Sequence, residues 1–146
     1  MYVVGANAAP SYQEHDWWHT TTQETFMKRG QMLVVDDDPN IRLLLTATLE
    51  FEGLEVQTAP DDSTALELCA TRTFALFLID YLLPGMDGLA LARAIRGQHP
   101  ELPIALITGS AHLISEADLA AVGITRLFAK PFDLGELVAW IRTQLP

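Results

Sequence analysis

Two adjacent aspartates, Asp36 and Asp37, follow the apolar run QMLVV, and Asp80 follows FALFLI. Thr108 comes directly after PIALI, and Lys130 after ITRLFA. An aspartate can act as a nucleophile toward phosphorus and form an aspartyl-phosphate. Carboxylates held close together resist joint ionisation unless something offsets their charge. A hard divalent ion does so, and Mg²⁺, or Mn²⁺ in its place, takes a few carboxylates plus waters and phosphate oxygens. Such an ion also offsets charge on a transferring phosphoryl group. A threonine hydroxyl can donate a hydrogen bond to a phosphoryl oxygen, and a lysine can pair with its charge.

These residues share one feature, which is that each ends a short stretch reading as a buried strand. Continuous apolar runs of this length suit strands covered on both faces. In an open parallel sheet such ends converge on a single crevice, where ligands bind. The spacing therefore predicts one acidic pocket with a cation and a reactive carboxylate.

Helices are expected between the strands. Asp38 reads as an N-cap with Pro39 at the first helical position, and Gly53 as the stop of that helix. Ile41, Leu44, Leu45, Thr48 and Leu49 mark its buried stripe. A second strand is expected at 54–58 and a helix after Asp61 and Asp62. Another helix follows Asp87-Gly88 to about Arg96, and an Ala-rich one spans about 112–121. The last opens at Asp133, with Leu134, Leu137, Val138 and Ile141 on one face. Asp61, Asp62, Asp87 and Asp133 are read as caps or turn residues. Five strands alternating with five helices give an α/β fold, a doubly wound parallel sheet built from right-handed βαβ units.

With 146 residues, 49% of them hydrophobic, the chain can bury one good core. A formal charge of −10 argues against nucleic-acid binding by the bulk surface, since phosphate contacts need Lys and Arg. Cys69, the single cysteine, has no internal disulfide partner. No apolar run approaches a membrane span, and the N-terminus lacks signal-peptide character, so a cytoplasmic address and no membrane insertion are expected. Residues 1–30 read as a flexible extension ahead of a domain at 31–146. His15 and His19 within it have helical i, i+4 spacing, but no third ligand is fixed beside them. His99 and His112 are read as ordinary loop and helix-start residues.

The strings Leu33-Val34-Val35-Asp36-Asp37-Asp38, Leu78-Ile79-Asp80-Tyr81-Leu82-Leu83-Pro84-Gly85-Met86-Asp87-Gly88, Ile107-Thr108-Gly109 and Ala129-Lys130-Pro131-Phe132 occur in that order. Together they resemble the receiver domain of bacterial two-component response regulators, over about Met32 to Leu145. The resemblance implies the flavodoxin-like strand order 2-1-3-4-5. It implies Asp80 as phosphoacceptor, with Mg²⁺ held by Asp37 and Asp80, by Asp36 largely through water, and by the backbone carbonyl of Leu82. Thr108 and Lys130 would contact the phosphoryl group, and Lys130-Pro131 would be cis. The donor would be a phosphohistidine on a sensor histidine kinase or a histidine phosphotransfer protein.

Some positions depart from the family pattern or vary within it. Three residues before the lysine, where an aromatic ring is usual, stands Leu127, with Phe128 next. Leu82 and Ser110, two residues beyond the acceptor and the threonine, occupy places that tune hydrolysis; Leu82 cannot orient a water, which predicts a long-lived phosphorylated state. Thr125-Arg126 replaces an acidic pair common at the symmetric dimer surface, so a monomer or weak dimer is expected. Arg126 and Arg142 are candidates for shaping a partner face.

The function expected from these residues is a stand-alone receiver in a phosphorelay. It would not be an enzyme acting on other substrates, and it would signal by protein–protein contact to a downstream target the sequence does not name. A second reading is the receiver half of a DNA-binding regulator. A third is a small aspartyl-phosphate phosphohydrolase; Asp36-Asp37-Asp38 offers its D-x-D, but Pro39-Asn40 follows where that family places x-Thr or x-Val.

Overall fold

The computed structural model describes residues 31–145, so the extension at 1–30, with His15 and His19, lies outside the described residues. Strands β1 (Gln31–Val35), β2 (Glu55–Ala59), β3 (Phe74–Asp80), β4 (Ile104–Thr108) and β5 (Arg126–Ala129) alternate with helices. The helices are α1 (Pro39–Phe51), α2 (Asp62–Thr71), α3 (Gly88–Gln98), α4 (Glu116–Val122) and α5 (Leu134–Gln144). All neighbouring strands are parallel, in the order β2-β1-β3-β4-β5. This is the flavodoxin-like doubly wound sheet expected from the sequence.

Strand alternation sorts the core onto two faces. Met32, Val34, Leu76, Leu78, Ala105, Ile107 and Phe128 pack against Leu45 and Leu49 of α1 and Leu137, Trp140 and Ile141 of α5. Leu33, Val35, Phe77, Ile79, Ile104 and Leu106 pack against α2, α3 and α4. Both faces are covered, which is why the interior strands β1, β3 and β4 are almost wholly apolar, while the edge strands β2 (EVQTA) and β5 (RLFA) carry polar residues.

Aspartate side chains start four of the helices. Asp38, Asp61, Asp87 and Asp133 each accept a backbone N–H of the first turn, and Ser115 does the same for α4. Each such cap contributes about 1 kcal/mol. Gly53 takes a positive φ just past α1, as expected of a helix stop.

Three local expectations need correction. Leu44 is 45% exposed rather than buried. At 3.6 residues per turn it lies about 120° round α1 from the midline of Leu45 and Leu49, beyond the edge of the buried stripe. The Ala-rich helix expected at 112–121 is instead a 3₁₀ turn at Ala111–Leu113 followed by α4 from Glu116. Ser115 caps α4, and Asp118, whose amide it binds, lies in the first turn with Glu116, so the helix starts later than the alanines suggest. Finally, Ile124 is not in β5. Its N–H bonds the Leu119 carbonyl, closing the end of α4 around Gly123 at φ 78°, so the strand starts only at Arg126.

Candidate functional site

Register brings the chemical residues together. Val35 of β1 lies beside Ile79 of β3, so the next residues on the two strands are Asp36 and Asp80. Asp80 lies beside Ile107, and Thr108 lies beside Ala129, the residue before Lys130. Backbone bonds carry the ladders past the strand ends: Asp36 N–H to the Ala59 carbonyl at 3.1 Å, Tyr81 to Ile107 at 3.0 Å, and Lys130 to Thr108 at 2.8 Å. The Lys130–Pro131 peptide is cis, as the resemblance implied.

Among the described residues, Asp36, Asp80 and Thr108 are the buried polar ones, exposed by 1%, 6% and 0%. Asp36 Oδ1 accepts the Asp38 N–H at 2.9 Å and Oδ2 accepts Lys130 Nζ at 3.0 Å. The same ammonium lies 3.4 Å from Asp80 Oδ2. Thr108 Oγ1 accepts the Ser110 N–H at 2.8 Å, which leaves the hydroxyl proton for another acceptor.

Burial raises the Asp80 pKa, and the negative charge of Asp36 raises it further; Lys130 and the Leu82 N–H pull the other way without prevailing. Burial also works against the Lys130 ammonium. There the hydrogen bond and charge of Asp36, with the charge of Asp80, outweigh burial and raise its pKa. The negative charge of Asp36 contributes to both shifts, whereas burial adds to the first and opposes the second.

Asp36, Asp37 and Asp80 each offer an oxygen within 4.8 Å of the others. With all three ionised against the single Lys130 ammonium, two negative charges remain. An oxygen-only donor set with that balance fits a hard divalent ion such as Mg²⁺. Asp37, exposed at the rim, keeps the cluster open toward solvent.

Gly88 explains why Asp80 holds this position. A Cβ on Gly88 would lie 2.2 Å from the Asp80 carbonyl oxygen, and the Gly88 N–H bonds the Tyr81 carbonyl at 2.7 Å. Only glycine lets the start of α3 approach the end of β3 so closely. The sequence motif contained Gly88 but not this reason. Sequence reasoning missed Arg42 altogether: its Nη1 donates to the Asp36 carbonyl at 2.7 Å. A cation in the opening turn of a helix, disfavoured by the helix dipole, was the available signal.

The other singled-out residues lie away from the acidic cluster. Leu127 packs against the α2–α4 side of the core, whereas Phe128 is buried on the α1–α5 side against Trp140. Phe128 therefore does not supply a ring on the side that Leu127 faces. Arg126 covers the Phe128 ring, with its guanidinium carbon 4.7 Å from the centroid, and Arg142 pairs with Glu52. His99 packs against Phe77, His112 lies in the 3₁₀ turn, and Cys69 is a half-buried free thiol. Among the described residues no helix is long and apolar enough to cross a membrane.

A doubly wound sheet with three clustered carboxylates and a lysine at its carboxyl edge defines a class, that of flavodoxin-like α/β domains with an acidic, cation-competent site. The comparisons narrow it. Residues 32–142 match the response regulator receiver domain, and the chain belongs to that family. It is 38% identical over 115 residues to the DNA-binding transcriptional regulator NtrC of Escherichia coli, spanning 79% of this chain and 24% of NtrC. The chain thus spans about a quarter of the length of that relative. The receiver domain protein (CheY-like) of Methanospirillum hungatei superposes with a TM-score of 0.76 at 30% identity, over 80% of this chain and 93% of that one. The response regulator TrrA of Thermotoga maritima, solved in complex with Mg²⁺-BeF, gives 0.73 at 34% identity, over 80% and 99%.

Proposed function

We propose that this chain is a stand-alone receiver whose phosphoacceptor is Asp80, loaded by a phosphohistidine on a sensor kinase or phosphotransfer protein in the cytoplasm. The observation that carries the reading is Lys130 reaching both Asp36 and Asp80, with Asp37 beside them. The TrrA complex with Mg²⁺-BeF supports an ion in the equivalent pocket here. Asp36, Asp37, Asp80 and the Leu82 carbonyl would hold it. When bound, Mg²⁺ offsets charge on the phosphoryl oxygens.

In the transfer, an Asp80 carboxylate oxygen attacks phosphorus and forms a P–O bond. The P–N bond of the donor breaks, and its electron pair returns to the imidazole nitrogen. Lys130 moves from neutralising carboxylates to pairing with the new phosphoryl charge, and Thr108 donates its hydroxyl proton to a phosphoryl oxygen. The chain acts on itself and turns over no other phosphate ester. Leu82, 56% exposed at the rim, has no group to orient an attacking water, so the phosphorylated state persists. Output runs through protein contact without the aromatic ring that Leu127 replaces, and residues 1–30 form an extension to this domain.

The share of NtrC that is covered favours one second reading, the receiver half of a longer DNA-binding regulator. Reading the gene beyond codon 146 separates the two. The phosphoacceptor reading is tested by intact-mass measurement after incubation with Mg²⁺ and acetyl phosphate. One added phosphoryl group is expected on the wild type and none on Asp80→Asn; no addition to the wild type overturns the proposal.

A further inference from the structure

Asp37 is the most exposed of the three clustered carboxylates, and the carbonyls of the residues on either side of it both meet Arg42. The Arg42 guanidinium donates to the Asp36 carbonyl at 2.7 Å, and the Arg42 backbone N–H donates to the Asp38 carbonyl at 3.1 Å. Arg42 therefore brackets Asp37 from both sides. The backbone bond belongs to the start of α1 and would exist for any residue there. The guanidinium bond would not, and it places a half-buried cation at the positive end of a helix, against the dipole. The hydrogen bond to the Asp36 carbonyl, made by a charged donor, is the attraction that offsets this cost.

We propose that Arg42 is a positioning residue for the divalent ion. It fixes the Asp36–Asp37 peptide so that the Asp37 carboxylate faces the cluster before metal arrives, and it acts through Asp37 without touching the ion. This rests on the reading of the acidic cluster as a Mg²⁺ site. A planar guanidinium suits the task because it holds a fixed direction along a hydrogen bond, whereas a lysine ammonium brings charge with less directional control.

The test is Mg²⁺ titration of the full chain followed by amide NMR, with Arg42→Met and Arg42→Lys as variants and thermal unfolding of the metal-free forms alongside. Methionine keeps much of the apolar stem and removes the donor. Arg42→Met is expected to weaken Mg²⁺ binding about tenfold, the loss of one hydrogen bond to a charged group. Arg42→Lys should recover part of that loss, and the acetyl phosphate concentration at half-maximal rate under saturating Mg²⁺ should stay near wild type. Mg²⁺ affinity of Arg42→Met within twofold of wild type overturns the proposal, whatever happens to its unfolding temperature. So does equal weakening in Arg42→Lys and Arg42→Met. Failure of the wild type itself to bind Mg²⁺ would instead count against the metal site.

Discussion

Two glycines of α3 should respond to alanine with opposite signs. At Gly88 a Cβ would lie 2.2 Å from the Asp80 carbonyl oxygen, 2.8 Å from Tyr81 Cα and 2.9 Å from the Asp80 carbonyl carbon. Ordinary contacts are near 3.5 Å, so β3 and the start of α3 must separate by about 1 Å. Every atom in the way is backbone, and no rotamer change relieves the clash. Overpacking of this kind costs about 1–3 kcal/mol, and strain on the 2.7 Å bond from Gly88 N–H to the Tyr81 carbonyl adds about 1 kcal/mol. A Cβ at Gly97 meets nothing within 4 Å. There alanine should stabilise by roughly 0.5–1 kcal/mol through helix propensity. Urea unfolding measures both: Gly88→Ala should lower the midpoint by about 1 M or more at a slope of roughly 2 kcal/mol per M, and Gly97→Ala should raise it slightly. Displacing Asp80 by about 1 Å should also slow phosphorylation by acetyl phosphate on the order of 100-fold in Gly88→Ala. A Gly88→Ala protein within about 0.5 kcal/mol of wild type, phosphorylated at the normal rate, would refute the packing account of Asp80.

Other expectations follow from the same geometry. Because the folded state raises the Asp80 pKa, it binds that proton more tightly than the unfolded chain. Ionised Asp80 therefore costs stability that grows as pH rises from 3.8 through the folded value. Asp80→Asn should be more stable than wild type at neutral pH, with the gain fading in acid; denaturant midpoints at the two pH values check this, and a gain that increases in acid would contradict it. Arg96 donates to the carbonyls of Val122, His99, Leu102 and Gly123, joining the ends of α3 and α4. Replacing it with methionine should cost about 2–3 kcal/mol of unfolding free energy, and a loss under about 0.5 kcal/mol would deny it that role. Once loaded, the phosphoryl group should outlast minutes at neutral pH by Phos-tag electrophoresis; disappearance within seconds would refute the role given to Leu82.

Much of this architecture was legible because it depends on local chemistry. The runs before Asp36, Asp80 and Thr108 are strands because nothing charged interrupts a two-sided burial, whereas the edge strand before Lys130 opens on the exposed Arg126. The aspartates ahead of α1, α2, α3 and α5 are caps because their side chains satisfy first-turn amides. Long-range geometry was less accessible. Leu44 looked like a stripe residue because its sector of α1 depends on where neighbouring elements end. The guanidinium of Arg42 turns back on the Asp36 carbonyl, a contact no periodicity encodes. The close approach of Gly88 to β3 likewise belongs to packing between elements. Leu127 and Phe128 illustrate both sides: alternation says they face opposite ways, but only the folded sheet shows that Phe128 is committed to Trp140.

The central claim, phosphoryl transfer to Asp80, is tested most directly by locating the modified carboxylate. The chain would be incubated with Mg²⁺ and acetyl phosphate, then treated with borohydride, which reduces an acyl phosphate to the alcohol and converts aspartate to homoserine. Tandem mass spectrometry of the digest should find homoserine at position 80 and aspartate at 36 and 37. Homoserine at 36 or 37, or at none of the three, would contradict the account.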